Sequence, residues 1–557
     1  MFEGHHGESV YYRPVLMAAF ILEYQLWDLN PLWYHLVNIM FHIATALVLY
    51  LLVEKLTQSA PVALTSALLF GLHPIQVESV AWIAGLNDVI LGFFVCLMIY
   101  WYAESRERAD HPSRPLALSV LFFALALFTK EAAAFYLLLL PLYDLCLSER
   151  PGNGFIAPGS LRRYASFAGV LALYLAVRHA IFGEFVGAER LYGNKPLLQR
   201  LQDVPGIVSE YLLLIAAPFR LSVAHPINQL KWFQPPWTWA AAGVVIAFTL
   251  LVWWSWRRDR IAAFGLLWFV VGLLPTLDIV PVAVPILEHR MYLPLAGLAL
   301  AVSRAIYAAL GRRPDRPAGK LAPAIALLLL ATVSYARLPV WRNSENLWLD
   351  AIEKAPGYSR SYFNLAGYYF NLQRYDDAIR LLNAYVRIRP DEYLGYSKLR
   401  ETYYLAGRYD DALRVCREMI ARSPRDANRY IETSELFETM RMPDSAIATC
   451  RAGLQADSSL FRLHEHLGAI FAGMDSMNQA EREYRWTLSL NPQYMPAWYA
   501  LGQIQALRRE LLPAIRSIEE GLQYGTPSPD VLRLLSNLYA ETGQDDKARA
   551  LRARYTF

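Results

Sequence analysis

The first 338 residues contain ten apolar segments that are long enough, or nearly long enough, to cross a bilayer. A crossing helix needs roughly 20 mostly apolar residues, and fewer where neighbouring helices shield its backbone. Because a spanning segment must satisfy its own backbone polar groups inside the membrane, the pattern predicts an all-α polytopic bundle. The predicted segments are 36–53, 61–72, 86–103, 115–129, 131–147, 164–182, 237–256, 261–280, 291–310 and 320–338, with an ambiguous eleventh at 207–221 that we interpret as interfacial or re-entrant.

Arginine and lysine residues between the segments predict the topology. They cluster after alternate crossings, and loops rich in these residues face the cytoplasm. The alternate loops, and residues 341–557, should therefore lie on the opposite side of the membrane. The predicted cytoplasmic loops are 104–114, 148–163, 257–260 and 311–320.

Residues 341–557 carry a second pattern, a repeat of 34 residues. Two amphipathic helices with this period are typical of tetratricopeptide repeats, in which a small alanine lets the two helices approach closely. We expect about six repeats after a half repeat at 341–356, forming a superhelix that follows a membrane domain at 1–338 and binds protein. The repeating alanines are Ala378, Ala412, Ala446, Ala480, Ala514 and Ala548.

Composition excludes several classes of function. The net charge is only +4 and the arginine clusters flank apolar segments, so nucleic acid is not an expected partner. The four cysteines show no CxxC or zinc spacing, and Cys416 and Cys450 occupy equivalent repeat positions, as expected of small core residues. Motifs for nucleotide binding or hydrolysis are absent from the sequence, while dependence on a metal stays open.

The loops predicted to face outward hold ionisable residues that topology does not explain. Taken singly, each group has a simple explanation, such as a helix cap, a local ion pair or an arginine at the lipid headgroups. Charged groups at membrane depth are costly unless they pair or bind a ligand, so four clusters on one side favour a shared external cavity. The residues are Arg13; His73, Glu78 and Asp88; Lys130 and Glu131; and Glu288, His289 and Arg290.

The residue types in this predicted cavity suit transfer of a group from a lipid phosphate. Arg13, Arg290 and Lys130 offer directed donors to phosphoryl oxygens. Glu78, with His73, is the predicted catalytic pair, because a carboxylate can take a proton from an acceptor hydroxyl. The predicted supporting residues are Glu131, Glu288, His289 and Asp88.

Several short motifs, followed by the repeats, resemble the transmembrane and tetratricopeptide-repeat O-mannosyltransferases and their bacterial relatives. The resemblance covers nearly the whole chain in order. It implies a C-type membrane glycosyltransferase fold, a polyprenyl-phosphate hexose donor, most simply mannose, and a Ser or Thr acceptor on an exported protein. It also implies a bacterial inner membrane with extracytoplasmic repeats. The motifs are Tyr12-Arg13-Pro14, His35-Leu36-Val37-Asn38 with His42, Leu72-His73-Pro74-Ile75, Glu78-Ser79-Val80-Ala81-Trp82, Lys130-Glu131 and Glu288-His289-Arg290-Met291-Tyr292-Leu293-Pro294.

The chain departs from that family at its start. Members carry a further helix and an external loop, with an acidic residue thought to be the catalytic base, before the Tyr-Arg-Pro motif. Here the motif begins at Tyr12, so either the start is misplaced, or the sequence is a fragment, or the protein lacks this base. Glu3 and Glu8 are the nearby carboxylates, and neither lies in a matching motif.

Two other classes of function compete with an enzyme. A non-catalytic, membrane-anchored scaffold for protein assembly is the main alternative, and loss of the base favours it. An anchor needs one helix, however, so many crossings with outward ionisable clusters favour the enzyme. A transporter should show charges near the bilayer midplane and internal repeats in its membrane half, and the sequence shows neither.

Overall fold

A computed structural model describes residues 11–107, 113–147, 158–183, 196–278, 284, 286–311, 317–525 and 527–555. Every regular element in these ranges is helical, which confirms the all-α prediction. The chain forms two compact units, Met1–Leu365 and Ala366–Phe557. The domain boundary near residue 340 stays a prediction. Glu3 and Glu8 lie outside the described residues, as do parts of the predicted cytoplasmic loops 104–114, 148–163 and 311–320.

The first unit consists of helices of different lengths, most of which are apolar. Its helices are α1 (Pro14–Trp27), α2 (Pro31–Thr57), α3 (Ala60–Leu72), α4 (Val77–Ala81), α5 (Leu86–Glu107), α6 (Ser113–Thr129), α7 (Ala133–Tyr136), α8 (Leu139–Leu147), α9 (Pro158–Phe182), α10 (Leu197–Ala216), α11 (Trp237–Arg258), α12 (Arg260–Leu273), α13 (Tyr292–Leu310), α14 (Pro317–Arg337) and α15 (Ser344–Lys354).

Each of the ten predicted crossings overlaps a helix, but the described helices differ in length. Six spans are long and apolar enough to cross a membrane, and a seventh arises if α3 and Pro74–Ala81, bent by 51°, form one span. The other apolar helices are shorter than a full span, namely α1, α6, the α7–α8 region and α12. Helix α1 was not among the predicted segments. Helix α10, which contains Pro205, covers much of the ambiguous eleventh segment and is not one of the candidate spans.

Helices α12 and α13 pack along a seam that leaves no room for side chains. A Cβ on Gly265 would lie 2.5 Å from the carbonyl oxygen of Gly297, and the reverse distance is also 2.5 Å. Asp259 caps α12 by accepting hydrogen bonds from two backbone amides, and it also pairs with Arg304 of α13 at 2.8 Å. The seam and this ion pair position α13, which directly follows the candidate site residues Glu288, His289 and Arg290.

The second unit contains the predicted repeats as antiparallel helix pairs. The first helix of each pair begins 34 residues after the one before it, which is the predicted period. The pairs are α16 (Ser359–Asn371) with α17 (Tyr375–Ile388), α18 (Tyr393–Leu405) with α19 (Tyr409–Arg422), α20 (Ala427–Thr439) with α21 (Pro443–Ala456), α22 (Phe461–Gly473) with α23 (Met477–Leu490), α24 (Met495–Leu507) with α25 (Leu511–Gly521), and α26 (Pro529–Glu541) with α27 (Asp545–Arg554).

The turn inside each pair uses one residue with a left-handed backbone. Two of the six are glycines, Gly407 and Gly543, which adopt this conformation without steric cost. The other four are residues with side chains, for which the same conformation is disfavoured by roughly 1–2 kcal/mol. They are Gln373, Arg441, Asp475 and Arg509.

Replacing the repeat alanine Ala412 with tryptophan should strongly destabilise the array, because this residue of α19 is fully buried. Overpacking a tight core typically costs about 1–3 kcal/mol, and a large ring in this space should reach the upper end. Thermal unfolding of the fragment 341–557, followed by circular dichroism, measures the loss. Ala421→Trp, at an exposed position of the same helix, is the control. Equal losses in both variants would contradict the packing role.

The predicted topology can be tested with single cysteines at Arg312 and at the exposed Glu353. A membrane-impermeant thiol reagent should label position 353 from the extracytoplasmic side, and position 312 only after permeabilisation. Background labelling should be low because Cys96, Cys146, Cys416 and Cys450 are all free and buried. Labelling of both positions from one side would refute the topology.

Candidate functional site

A buried carboxylate and an imidazole form the centre of the candidate site. Glu78 lies in the first turn of α4, and His289 lies in the short 3-10 helix Glu288–Met291 that leads into α13. Glu78 Oε1 contacts His289 Nδ1 at 2.7 Å, while Oε2 is buried without a hydrogen-bond partner among the described residues. One oxygen of this buried carboxyl group is therefore left without a protein hydrogen-bond donor among the described residues.

Two aromatic residues hold this pair in place. The Trp82 ring packs against the His289 ring with their centres 5.5 Å apart. The Tyr211 hydroxyl, on α10, donates to the carbonyl oxygen of Leu287 at 3.3 Å and accepts from its backbone amide at 3.1 Å. Together they fix the backbone immediately before the ionisable run.

Tyr211 also places Arg290 near this pair. Burial raises the pKa of the Tyr211 phenol to about 12, although the nearby Arg290 guanidinium opposes the shift and Glu78 reinforces it. The phenol is therefore protonated at neutral pH and can act as a donor. Arg290 and Glu78 both act on this one hydroxyl group, so they belong to the same neighbourhood as His289.

A second cluster joins the start of the chain to the α6–α7 turn. Arg13 binds Glu131 through two parallel hydrogen bonds, from Nε at 2.9 Å and from Nη2 at 2.6 Å. Lys130 Nζ binds Asp88 at 2.7 Å and Asn87 at 3.2 Å. Arg13 and Lys130, two of the three cations that were predicted to bind phosphate, are thus each held by a carboxylate.

The two ion pairs are close enough for Asp88 of one pair to affect the pKa of Arg13 in the other. Burial would by itself lower the pKa of Arg13, but Glu131 and the more distant Asp88 raise it overall. Burial would likewise raise the pKa of Glu131, and the Arg13 guanidinium lowers it instead. Arg13 and Glu131 therefore keep their charges at neutral pH.

Helix α5 brings this cluster to the start of α13. Asp88 and Gly92 are four residues apart and share one face of the helix. At Gly92 the Tyr292 ring lies so close that a Cβ could not be accommodated. Because Tyr292 follows Arg290 by two residues, the Lys130–Asp88 pair lies on the face of α5 that meets the Arg290 segment.

Glu288 has different hydrogen-bond partners from the neighbouring His289. Its side chain is fully buried and accepts hydrogen bonds from the Ser222 amide, from His225 Nε2 at 3.0 Å and from Arg337 Nη2 at 3.0 Å. Arg337 also donates to the carbonyl oxygen of Leu221 at 2.6 Å. This network ties the loop after α10 to the end of α14.

His73 likewise has both ring nitrogens engaged. Nδ1 accepts from the backbone amide of Ile75 at 3.2 Å, which caps the short helix Pro74–Gln76. Nε2 contacts the carbonyl oxygen of Ile215, at the end of α10, at 3.0 Å. A catalytic role for His73 would require one of these bonds to break.

The predicted residues therefore fall into groups that the structure distinguishes. Glu78, His289 and Arg290 form one neighbourhood, the two ion pairs form another, and Glu288 and His73 bind backbone and structural partners. Their convergence in one cavity stays a prediction. The described residues contain no group of three or more His, Cys, Asp or Glu able to hold a metal. The sequence reading missed Tyr211, Trp82, His225 and Arg337.

Comparison with known proteins gives one family model and several curated relatives. Residues 359–392 match the tetratricopeptide repeat model. A protein O-mannosyl-transferase of Caenorhabditis elegans is 25% identical over 369 residues, which is 64% of this chain and 50% of that protein. Tmtc1 of Drosophila melanogaster is 32% identical over 165 residues, and human TMTC2 is 29% identical over 215 residues. These two matches cover 29% and 38% of this chain, and 19% and 25% of the relatives.

Solved structures match only part of the chain. PilF of Pseudomonas aeruginosa is 18% identical with a TM-score of 0.28, and the match covers 35% of this chain and 89% of the PilF chain. The tetratricopeptide protein YrrB is 13% identical with a TM-score of 0.24, and covers 34% of this chain and 96% of its own.

The curated matches carry the family relationship. The three relatives described here are all named protein O-mannosyl-transferases, and this chain spans half the length of the first and a quarter or less of the others. The motifs in the membrane half and the repeat match agree with that name. The chain is thus similar, over part of its length, to proteins named protein O-mannosyl-transferases, and it carries a match to the tetratricopeptide repeat.

Proposed function

We propose that this protein transfers a hexose, most simply mannose, from a polyprenyl-phosphate donor to a Ser or Thr hydroxyl of an exported protein. The observation that carries the proposal is the Glu78–His289 pair, in which one carboxylate oxygen is buried without a partner among the described residues and Arg290 follows His289 in the sequence. Such a group is suited to accept a proton, and an adjacent arginine is suited to a phosphate. The names of the relatives support the same chemistry.

In the proposed step, the acceptor hydroxyl oxygen attacks the anomeric carbon and the bond from that carbon to the phosphate oxygen breaks. The hydroxyl proton moves to Glu78 Oε2, while His289 holds the other carboxylate oxygen. General-base help of this kind typically contributes about 10²–10⁴ in rate. The departing polyprenyl phosphate keeps the electron pair, and its negative charge is the group that cations would stabilise.

We assign the phosphate to Arg13, Lys130 and Arg290. Arg13 uses Nε and Nη2 on Glu131, so its Nη1 hydrogens face away from that carboxylate. Lys130 donates to Asp88 and Asn87, and an ammonium group has three hydrogens in all. These carboxylates position the cations before the donor arrives, and preorganised charge is the larger part of such catalysis.

The repeats are proposed to hold the acceptor protein. Tetratricopeptide arrays present a continuous concave surface along their first helices, and that surface usually binds extended chain. In this unit the first helices carry charged side chains. For example, Nη2 of Arg400 on α18 lies 3.4 Å from Oε2 of Glu432 on α20. A protein acceptor fits this surface better than a free sugar or a lipid.

The full-length chain in proteoliposomes tests the proposal. Radiolabelled polyprenyl-phosphate mannose and a Ser/Thr-rich peptide should yield labelled peptide, sensitive to β-elimination. A nucleotide sugar supplied instead should yield none. Absence of transfer from the lipid donor, with peptide binding retained, would favour the scaffold alternative.

Arg13→Lys should weaken the use of the donor, because lysine cannot reproduce the two parallel bonds that orient the guanidinium on Glu131. A lost hydrogen bond to a charged group is worth about 1.5–3 kcal/mol, so the donor KM should rise roughly tenfold or more. Initial rates at varied donor concentration measure it. Arg220→Lys, at an exposed position, should leave the donor KM unchanged. An unchanged KM in Arg13→Lys would remove Arg13 from the phosphate site.

A further inference from the structure

The membrane half contains a groove that the proposed reaction does not use. Its volume is about 610 Å³, and it lies between α2, the end of α3, α4 and the end of α14. Arg13, Lys130, Arg290 and Glu78 do not line it. Its apolar wall includes Ile39, Val77, Val80, Leu338 and Pro339, and its polar wall includes His35, His73, Gln76, Trp341 and Arg342.

Two polar atoms of the groove wall are buried without a partner. Gln76 is only 2% exposed; its amide nitrogen donates to the Tyr292 carbonyl oxygen at 3.3 Å, but its Oε1 accepts nothing from the described residues. The indole Nε1 of Trp341 likewise has no acceptor among them. An unsatisfied buried group costs roughly 1–3 kcal/mol, so a ligand that supplies both a donor and an acceptor would be stabilised here.

The charged residues of the groove wall indicate whether the ligand carries a positive or a negative charge. Arg342 and the histidines are the ionisable groups that line the groove, and none of the described lining residues is a carboxylate. A guanidinium at the mouth favours an anionic group, and phosphate fits it bidentately. The ligand should therefore be an anion that also carries a hydroxyl group for Gln76.

The surroundings of the groove indicate that the rest of the ligand is apolar. Met40 on α2 is 67% exposed and Tyr335 on α14 is 77% exposed, so both flanking helices present apolar surface outward. Helix α14 has only 6% of its most apolar window buried inside the protein. Ser334 ties α14 to the end of α3 by donating to the Leu72 carbonyl oxygen at 2.7 Å, which fixes the width of the groove. An acyl chain can enter such a groove from the bilayer.

We propose that this groove binds an anionic phospholipid with a hydroxyl-bearing head, such as phosphatidylglycerol. The phosphate contacts Arg342 and Trp341 Nε1, the head hydroxyl donates to Gln76 Oε1, and one acyl chain lies along Ile39, Val80 and Leu338. The lipid is a resident one, separate from the sugar donor, because the cations assigned to the donor phosphate lie outside the groove.

Binding of lipid to the full-length protein tests this without any assay of transfer. The purified chain is delipidated, and its melting temperature is measured in nanodiscs of pure phosphatidylcholine and in nanodiscs with added phosphatidylglycerol. Phosphatidylglycerol should raise the melting temperature of the wild type, and native mass spectrometry should show one retained molecule. The double variant Trp341→Phe, Arg342→Gln keeps the ring and the size of the wall, and should retain this lipid about tenfold less.

Arg220→Gln removes one positive charge at an exposed position outside the groove and should keep the wild-type preference. Equal retention of both phospholipids by the wild type, or equal loss in the control, would overturn the proposal. Competitive displacement of phosphatidylglycerol by a polyprenyl-phosphate sugar would also overturn it, because the groove would then belong to the donor. Failure of the transfer assay alone would leave these measurements unaffected.

Discussion

Replacing Glu78 with glutamine should lower the rate of sugar transfer by about 10²–10⁴ while leaving the protein folded. Glutamine has nearly the same shape, so the contact with His289 at 2.7 Å can be kept, but an amide cannot accept the acceptor proton. Rates in the proteoliposome assay measure the loss. The donor KM should change little, because Glu78 is not one of the residues assigned to the phosphate.

Glu23→Gln is the matched control for this variant. Glu23 is also a buried carboxylate, 4% exposed, and neither of its oxygens has a partner among the described residues. It lies in α1, two to three turns beyond Arg13, and no proposed step uses it. Its variant should transfer at the wild-type rate. A Glu78→Gln rate within a few-fold of wild type would exclude Glu78 as the base.

Arg337→Met should be the most destabilising single change in the membrane half. It leaves Glu288 fully buried and charged, with only His225 and the Ser222 amide to compensate. Removing one partner of a buried pair costs about 3–5 kcal/mol. Thermal denaturation in detergent should therefore show a fall of roughly 5–10 °C.

A second variant separates structure from catalysis at this site. Adding Glu288→Leu to Arg337→Met removes the orphaned charge, and apolar replacement of a buried pair is often neutral. The double variant should regain most of the lost stability, and activity if Glu288 has only a structural role. Arg304→Met, which breaks the half-exposed pair with Asp259, should cost at most about 1 kcal/mol. A similar loss in all three variants would contradict the special cost of burial.

The pattern of apolar segments and the 34-residue step predicted most helices, because both depend on local periodicity. Helix α1 was missed. The left-handed turns could be expected at Gly407 and Gly543, and less strongly at Asp475, because aspartate tolerates this backbone better than most residues. The residue types at the other three positions give no such indication.

Side-chain partners were less predictable than helices. Lys130 and Glu131 are adjacent and suggested a local ion pair, yet adjacent residues at a helix start point in different directions. The structure pairs Glu131 with Arg13, 118 residues away, and Lys130 with Asp88, 42 residues away. Contacts at this separation depend on how the helices pack, and no spacing rule encodes them.

The helix cap formed by His73 could have been predicted from the sequence. His73 precedes a proline at the first position of a short helix, which is where an N-cap is expected, and its side chain does cap that helix. Tyr211 and Arg337 had no such signal. Each lies on an apolar helix away from the quoted motifs, and only the fold brings it to the Glu288–Met291 turn.

The seam between α12 and α13 restricts the routes by which a lipid can reach the site. Two helices whose backbones approach closely at Gly265 and Gly297 leave no space for a lipid between them at that point. By contrast, α11 and α14 have only 11% and 6% of their apolar windows buried. If the proposed lipid donor diffuses sideways out of the bilayer, we expect it to pass beside α11 or α14, while the closely packed α12–α13 pair forms a continuous wall.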